Sequence, residues 1–263
     1  MKYNEQLQSR IDEVAEVAGY LWEKGWAERN GGNISYNITD VVDDSFMKLS
    51  PLSERTTLGF IVPHLAGNWF LVTGTGCRMR DVHTSPMENM SVIRISEDGG
   101  SYEIMAEHPV RPTSEFSSHL MIHDRMAADG RDIKAVVHTH PIELVAMTHN
   151  DAFLKKDVLG KLLWSMIPET LAFCPKGLGI VPYTCPGTVE LAVATVKELC
   201  TYDIVMWEKH GAVGIGKNLM EPFDMIDTLS KSAKIYMSAR AMGFIPSGMS
   251  DIQMDEMKER FGL

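Results

Sequence analysis

The stretch Ala135-Val136-Val137-His138-Thr139-His140-Pro141 sets two imidazoles two residues apart at the end of an apolar run. Side chains alternate along a strand, so residues i and i+2 share a face. His138 and His140 therefore point the same way. Two such rings repel when protonated and waste polar atoms when buried dry. Imidazole is a common ligand for zinc and its neighbours in the transition series, so a pair of metal ligands is one reading. Two partly exposed histidines bonded to backbone or water are the other, and the pair alone leaves both open.

His210 closes a second apolar run, Asp203-Ile204-Val205-Met206-Trp207, through Glu208-Lys209, and precedes Gly211. Three histidines at two strand ends could form a three-imidazole site. Catalytic zinc takes three protein ligands and keeps a position for water or substrate. Taken singly, His210 reads as a turn residue. Glu115 follows Pro112-Thr113-Ser114 at the start of a helical pattern. Acids are common in a first helical turn because the dipole favours them. A catalytic role requires Glu115 to stand near the metal, where a carboxylate can ligate or move a proton. Two glycine-rich turns, Asn30-Gly31-Gly32-Asn33 and Thr73-Gly74-Thr75-Gly76, could cradle an anion with backbone N–H groups, and Ser114 would open a third such site. Neither turn has the spacing of a Walker or dinucleotide loop, and each singly reads as an ordinary turn.

Elements must bring these residues together. Leu7, Ile11, Val14, Ala18, Leu21 and Trp22 recur at helical spacing, which predicts a helix over 5–24 stopped by Gly25. Ile34, Tyr36 and Ile38 alternate with polar residues as in a strand. Residues 40–67 read as an irregular surface excursion with room for short strands. Strands are predicted at 69–73, 91–96, 101–105, 133–138, 177–181, 203–207 and 212–215. The second and third form a hairpin across Glu97–Gly100, and the last two pair. Helices are predicted at 116–128 with Thr113 or Ser114 as cap, after Pro141, and at 156–164, 189–200, 221–242 and 250–261. Strands and helices mingle without repeat or linker. The expected fold is therefore one α/β domain over 1–263, with a mixed, largely antiparallel sheet flanked by helices on both sides.

The chain has 263 residues, 44% of them apolar, which allows a substantial core. A net charge of -10 with no Lys/Arg cluster speaks against nucleic acid and for a small substrate. The N-terminal residues lack the apolar segment of a signal peptide, and no stretch approaches the ~18 apolar residues of a membrane span. Cys77, Cys174, Cys185 and Cys200 form no C-x-x-C pair and read as reduced thiols, which fits a cytoplasmic protein. The 18 methionines read as core and helix-face residues.

Glu28-Arg29-Asn30-Gly31-Gly32-Asn33, Val72–Gly76, Pro112–Glu115, His138-Thr139-His140 and Glu208–Gly211 occur in order across nearly the whole chain. Together they resemble the class II sugar-phosphate aldolases of the aldolase/adducin superfamily. The longer chain, the 40–67 segment and the ERNGGN form most resemble the branch that acts on L-rhamnulose 1-phosphate. The fuculose-phosphate and ribulose-5-phosphate epimerase branches, and non-catalytic adducin-like members, are the alternatives. The resemblance implies a zinc ion on His138, His140 and His210, one divalent metal per subunit. It implies Glu115 as acid/base. Asn30, Gly32, Thr75, Gly76 and Ser114 match segments that hold the substrate phosphate, and Asn33 lies near the dihydroxyacetone part. Thr75 stands where serine is expected, and a hydroxyl remains. Glu169, in Ile-Pro-Glu-Thr-Leu, resembles a carboxylate that reaches into the neighbouring subunit's site. The family's assembly implies a homotetramer with active sites at subunit interfaces.

Overall fold

Among residues 3–263, which the computed structural model describes, nine strands form one sheet. In chain order they are β1 (Asn33–Asn37), β2 (Thr56–Thr57), β3 (Trp69–Thr73), β4 (Met90–Ile95), β5 (Ser101–Ala106), β6 (Ala135–Thr139), β7 (Gly179–Val181), β8 (Ile204–Trp207) and β9 (Gly211–Gly216). Across the sheet they run β2-β5-β4-β3-β1-β6-β9-β8-β7. All neighbours are antiparallel except β7 and β8. The helices are α1 (Glu5–Glu23), α2 (Asp44–Met47), α3 (Met79–Thr84), α4 (Pro86–Asn89), α5 (Phe116–Ala128), α6 (Ile142–Met147), α7 (Lys156–Met166), α8 (Pro168–Phe173), α9 (Val189–Leu199), α10 (Met220–Ala241) and α11 (Asp251–Phe261). This is the mixed, largely antiparallel α/β architecture that the sequence predicts. None of these helices is long and apolar enough to cross a membrane.

The central strands read as unbroken apolar runs because both their faces are covered. On β6, Ala135 and Val137 join a cluster with Leu7 and Ile11 of α1 and Ile226 of α10. Val136, on the opposite face, packs with Ile122 of α5 and Leu191 of α9. Period-2 alternation then fixes the face of every polar residue at the strand ends. His138 shares Val136's side, toward α5 and α9. Asn33 and Ser35 of β1 share it too, because Ile34 and Tyr36 belong to the α1 side.

Several local expectations are corrected. The residue preceding α5 is Glu115, and neither Thr113 nor Ser114 occupies the cap position; Thr113 Oγ1 accepts only a long bond, 3.4 Å, from the Glu115 amide. Pro141 precedes α6 as its cap residue rather than lying in its first turn. Pro168 opens α8, a helix that the sequence did not announce, from the first helical turn, where its missing N–H costs nothing. The 40–67 segment holds α2 and β2.

Candidate metal centre

β1, β6 and β9 are neighbours in the middle of the sheet, and at one end of these strands Asn33 lies opposite His138 and His138 opposite Val213. β8 turns into β9 through Glu208-Lys209-His210, and the His210 amide bonds back to the Trp207 carbonyl at 3.0 Å. Lys209 takes φ +59 to make that turn and donates its amide to Thr148 Oγ1 at 2.8 Å. His140 lies just past β6, tied through its amide to the Trp26 carbonyl at 2.9 Å. The result brings one nitrogen from each of His138, His140 and His210 within 4.8 Å of the others.

The donor set fits a divalent cation. The Ala212 carbonyl accepts from His138 Nδ1–H at 3.0 Å, and the Glu28 carboxylate accepts from His140 Nδ1–H at 2.8 Å. Both rings are thereby oriented with an Nε2 lone pair inward, in the manner of metal-ligating imidazoles whose second nitrogen is held by an acceptor. The two Nε2 atoms stand 3.2 Å apart. Lone pairs at that separation repel unless a proton or a cation lies between them. Protons are disfavoured here: burial, then the nearby His140 and His210, push His138 well below the usual imidazole range. Burial, then His140, lowers His210 to about 4, with Glu28 opposing. Trp207 lies 4.5 Å from the His138 ring and 5.0 Å from the His210 ring, and supplies an apolar floor. His210 Nδ1 is buried without a hydrogen-bond partner, a further donor atom the chain itself leaves unused.

Glu115 stands beside this cluster. Its Oε2 is 3.6 Å from His138 Nε2 and accepts a 2.7 Å bond from Asn33 Nδ2. The residue is 8% exposed. Burial raises its carboxyl above the usual range, while the Asn33 bond and His140 pull the other way. A carboxyl so placed, partly dry and next to a cation site, suits proton transfer.

The glycine-rich segments converge on the same strand ends. Gly74 bridges to Pro112, and the Thr113 amide bonds the Thr73 carbonyl at 2.9 Å, so the Thr73–Gly76 turn runs beside Pro112–Glu115. Ile34 donates its amide to Thr73 Oγ1 at 3.0 Å, which joins the Asn30–Asn33 turn to both. Asn30, Thr75, Gly76 and Ser114 are exposed there, and Gly32 is half-buried. Glu169 is exposed on α8, which packs on α7, α10 and α11, and it is not part of the histidine cluster.

Sequence reasoning gave no role to Glu28, although its motif was in view, nor to Ser35, His119 and His123. It also missed what Gly211 does. A Cβ on Gly211 would sit 2.5 Å from the Thr139 carbonyl oxygen, 2.8 Å from His140 Cδ2 and 2.9 Å from His138 Cε1. The backbone cannot yield there, so a side chain must push the rings aside. Gly211→Ala is expected to lower kcat/KM about 100-fold through displacement of the imidazoles by a fraction of an ångström. Steady-state kinetics with metal analysis checks this, and wild-type values for both would refute it.

The model of the class II aldolase and adducin N-terminal domain matches residues 12–237. A rhamnulose-1-phosphate aldolase of Bacteroides thetaiotaomicron is 57% identical over 98% of this chain and 96% of its own length. One from Enterococcus faecalis is 34% identical over 96% of this chain and 91% of its own. The crystal structure of a sugar-phosphate aldolase from Thermotoga maritima superposes with a TM-score of 0.79 at 33% identity, covering 92% of this chain and all of that one. An L-fuculose 1-phosphate aldolase superposes at 0.61 with 20% identity over 97% of each chain, a likeness of fold.

Proposed function

The chain belongs to the class II aldolase and adducin family, and on that premise we propose that it cleaves L-rhamnulose 1-phosphate to dihydroxyacetone phosphate and L-lactaldehyde. It is an aldehyde-lyase, and the observation that carries its chemistry is the Glu115 carboxylate 3.6 Å from a ring of the histidine cluster. The choice of sugar rests on likeness along nearly the whole chain to relatives named for that substrate.

His138, His140 and His210 would hold the metal, and neutral imidazole suits zinc. When bound, the metal supplies Lewis acidity that offsets the charge left as the C3–C4 bond breaks. Glu115 moves the proton at C3: it returns one to the dihydroxyacetone phosphate fragment on cleavage and takes it in the aldol direction. Asn33, bonded to Glu115, lies where the dihydroxyacetone part would bind. Asn30, Gly32, Thr75, Gly76 and Ser114 hold the phosphate. Their convergence at one end of the central strands, with hydroxyl and amide groups exposed, supports that role. A phosphate held at the non-reacting end turns binding energy into orientation. Glu169, exposed on its helix, acts in a neighbouring subunit's site within a homotetramer. The whole of 1–263 is one class II aldolase-like domain in a cytoplasmic enzyme.

The test is a cleavage assay on L-rhamnulose 1-phosphate with and without chelator. L-fuculose 1-phosphate and L-ribulose 5-phosphate run beside it. Chelator-sensitive release of dihydroxyacetone phosphate, at least about tenfold faster from the rhamnulose ester, is expected, since one methyl or hydroxyl shifts preference by ~1–3 kcal/mol. Epimerisation without cleavage, or no reaction by folded, metal-loaded protein, would remove the named substrate.

A further inference from the structure

Behind Glu115 and Asn33 lie three buried polar side chains, His119, Ser35 and His123, that the reaction above does not use. Asn33 Oδ1 meets His119 Nε2. His119 Nδ1 lies 2.7 Å from Ser35 Oγ, which lies 2.9 Å from His123 Nε2. All are buried, with Asn33 and Ser35 two apart on β1 and His119 and His123 four apart on α5. These are the spacings that put each pair on one face, so strand and helix present them to each other.

We infer that His123, Ser35 and His119 form a one-way hydrogen-bond chain that fixes the Asn33 amide and, through it, anchors one oxygen of Glu115 and leaves the other to carry the proton. The inference rests on the acid/base reading of Glu115. Its direction follows link by link. An ionised carboxylate only accepts, so Asn33 Nδ2–H donates to Glu115 Oε2. The Asn33 oxygen then faces His119, and an amide oxygen only accepts, so His119 Nε2 carries its hydrogen. Burial lowers His119 to about 3, so the ring is neutral and its Nδ1 is a lone pair. Ser35 O–H must donate to that lone pair. The Ser35 oxygen in turn accepts from His123 Nε2–H, and His123 is likewise lowered to about 3 by burial and then by His119. The chain ends at His123 Nδ1, which is buried without a partner and would be its last lone pair. The Phe70 ring packs beside it, 4.9 Å between centroids.

Each link has one polarity, and reversing any link breaks its neighbours. A flipped Asn33 would set oxygen against Oε2 and N–H against N–H. Glu115 Oε2 is thus held as an acceptor in both protonation states, and Oε1 is the atom that takes and gives the proton. A partly satisfied buried network is costly, and this one confines its unpaired atom to the end farthest from the carboxylate. His119, Ser35 and His123 are positioning residues: they act on the reaction through Asn33.

The experiment compares full-length wild type with His119→Phe, His119→Gln and Ser35→Ala. Nitrogen-15 ring spectra of metal-free wild type are expected to show His119 and His123 as neutral Nε2–H tautomers from neutral pH to about pH 5. His119→Phe, which cannot donate, is expected to lower kcat about 30- to 100-fold with KM within about threefold. His119→Gln, whose amide N–H can stand for Nε2–H, should recover kcat to within about fivefold of wild type, and Ser35→Ala should lose about three- to tenfold. An Nδ1–H or charged His119 overturns the chain whatever the kinetics. Wild-type kcat in His119→Phe overturns the positioning role. Equal loss in His119→Phe and His119→Gln, tracking a fall in melting temperature, assigns these residues to packing alone and also overturns it. If His119→Phe does not fold, unchanged kcat and tautomers in Ser35→Ala overturn the proposal. Wild-type turnover in Glu115→Gln would instead sink the acid/base reading and leave the ring spectra standing.

Discussion

His138→Ala is expected to lose metal and turnover together. His138 is the fully buried member of the cluster, 1% exposed, and its ring is set by the Ala212 carbonyl. Removing it leaves two half-buried imidazoles and no third nitrogen from the strand. Metal content should fall from about one per chain to under about a tenth, and kcat/KM by at least about 1,000-fold, because Lewis acid and anchor go at once. The lost ring also leaves a cavity over Trp207, costing roughly 2–4 kcal/mol of stability. Unfolding must therefore be separated from loss of the site. His210→Ala, at a half-buried position, should lose metal with a smaller fall in melting temperature. Wild-type protein should melt higher with added metal, by the equivalent of about 4 kcal/mol at a thousandfold excess over Kd. Neither variant should respond. A folded His138→Ala that kept full metal and full turnover would remove the histidine cluster from the mechanism.

The histidine pair was legible because strand alternation does not depend on what surrounds the strand. Period 2 alone puts His138 and His140 on one side, and their Nε2 atoms are 3.2 Å apart. The long helices were legible for a similar reason. Apolar residues recur over enough turns to define α1 and α10 to within a residue or so, and Gly25 at φ +72 follows the first as a stop. Short helices were not. The helices α3, α4 and α8 span at most two turns, too few for a period, and are held by packing on α1, β4 and α10. Glu115 was seen, but the residues around it left it open between an acid favoured by the helix dipole and a carboxylate beside the metal. The structure turns its carboxylate to Asn33 and His138, a choice that a local rule cannot make. Arg29 at φ +50 and Lys209 at φ +59 were also invisible, because a left-handed conformation is usually announced by glycine. They flank the cluster: one follows Glu28, which holds His140, and the other precedes His210. Strain in these two turns is the cost of aiming an acceptor and a ring inward. The Asn33-His119-Ser35-His123 row could have been found by matching a strand's period against a helix's, had the pairing of β1 with α5 been known.

Glu115→Gln is expected to keep the metal and lose the chemistry. The amide has the carboxylate's shape, and its oxygen can still accept from Asn33 Nδ2, so the wall of the site should stand. What goes is the carboxyl beside His138 that can both take and return a proton at this position. General acid–base catalysis contributes about 100- to 10,000-fold, so kcat should fall by that range while KM and metal content stay within about threefold. The partial reaction is the sharper readout. Wild type incubated with dihydroxyacetone phosphate in deuterated water should exchange the proton next to the carbonyl without any aldehyde present. Glu115→Gln should exchange it slower by a similar factor. Burial makes the carboxyl a better base than an exposed one, because its raised affinity for the proton brings it closer to the operating pH. Asn33→Ala therefore tests the balance from the other side: losing a bond that favours the ionised form should move the acidic limb of the exchange-rate profile to higher pH. Exchange and cleavage at wild-type rates in Glu115→Gln would take the proton from this residue and leave the cluster without an assigned base.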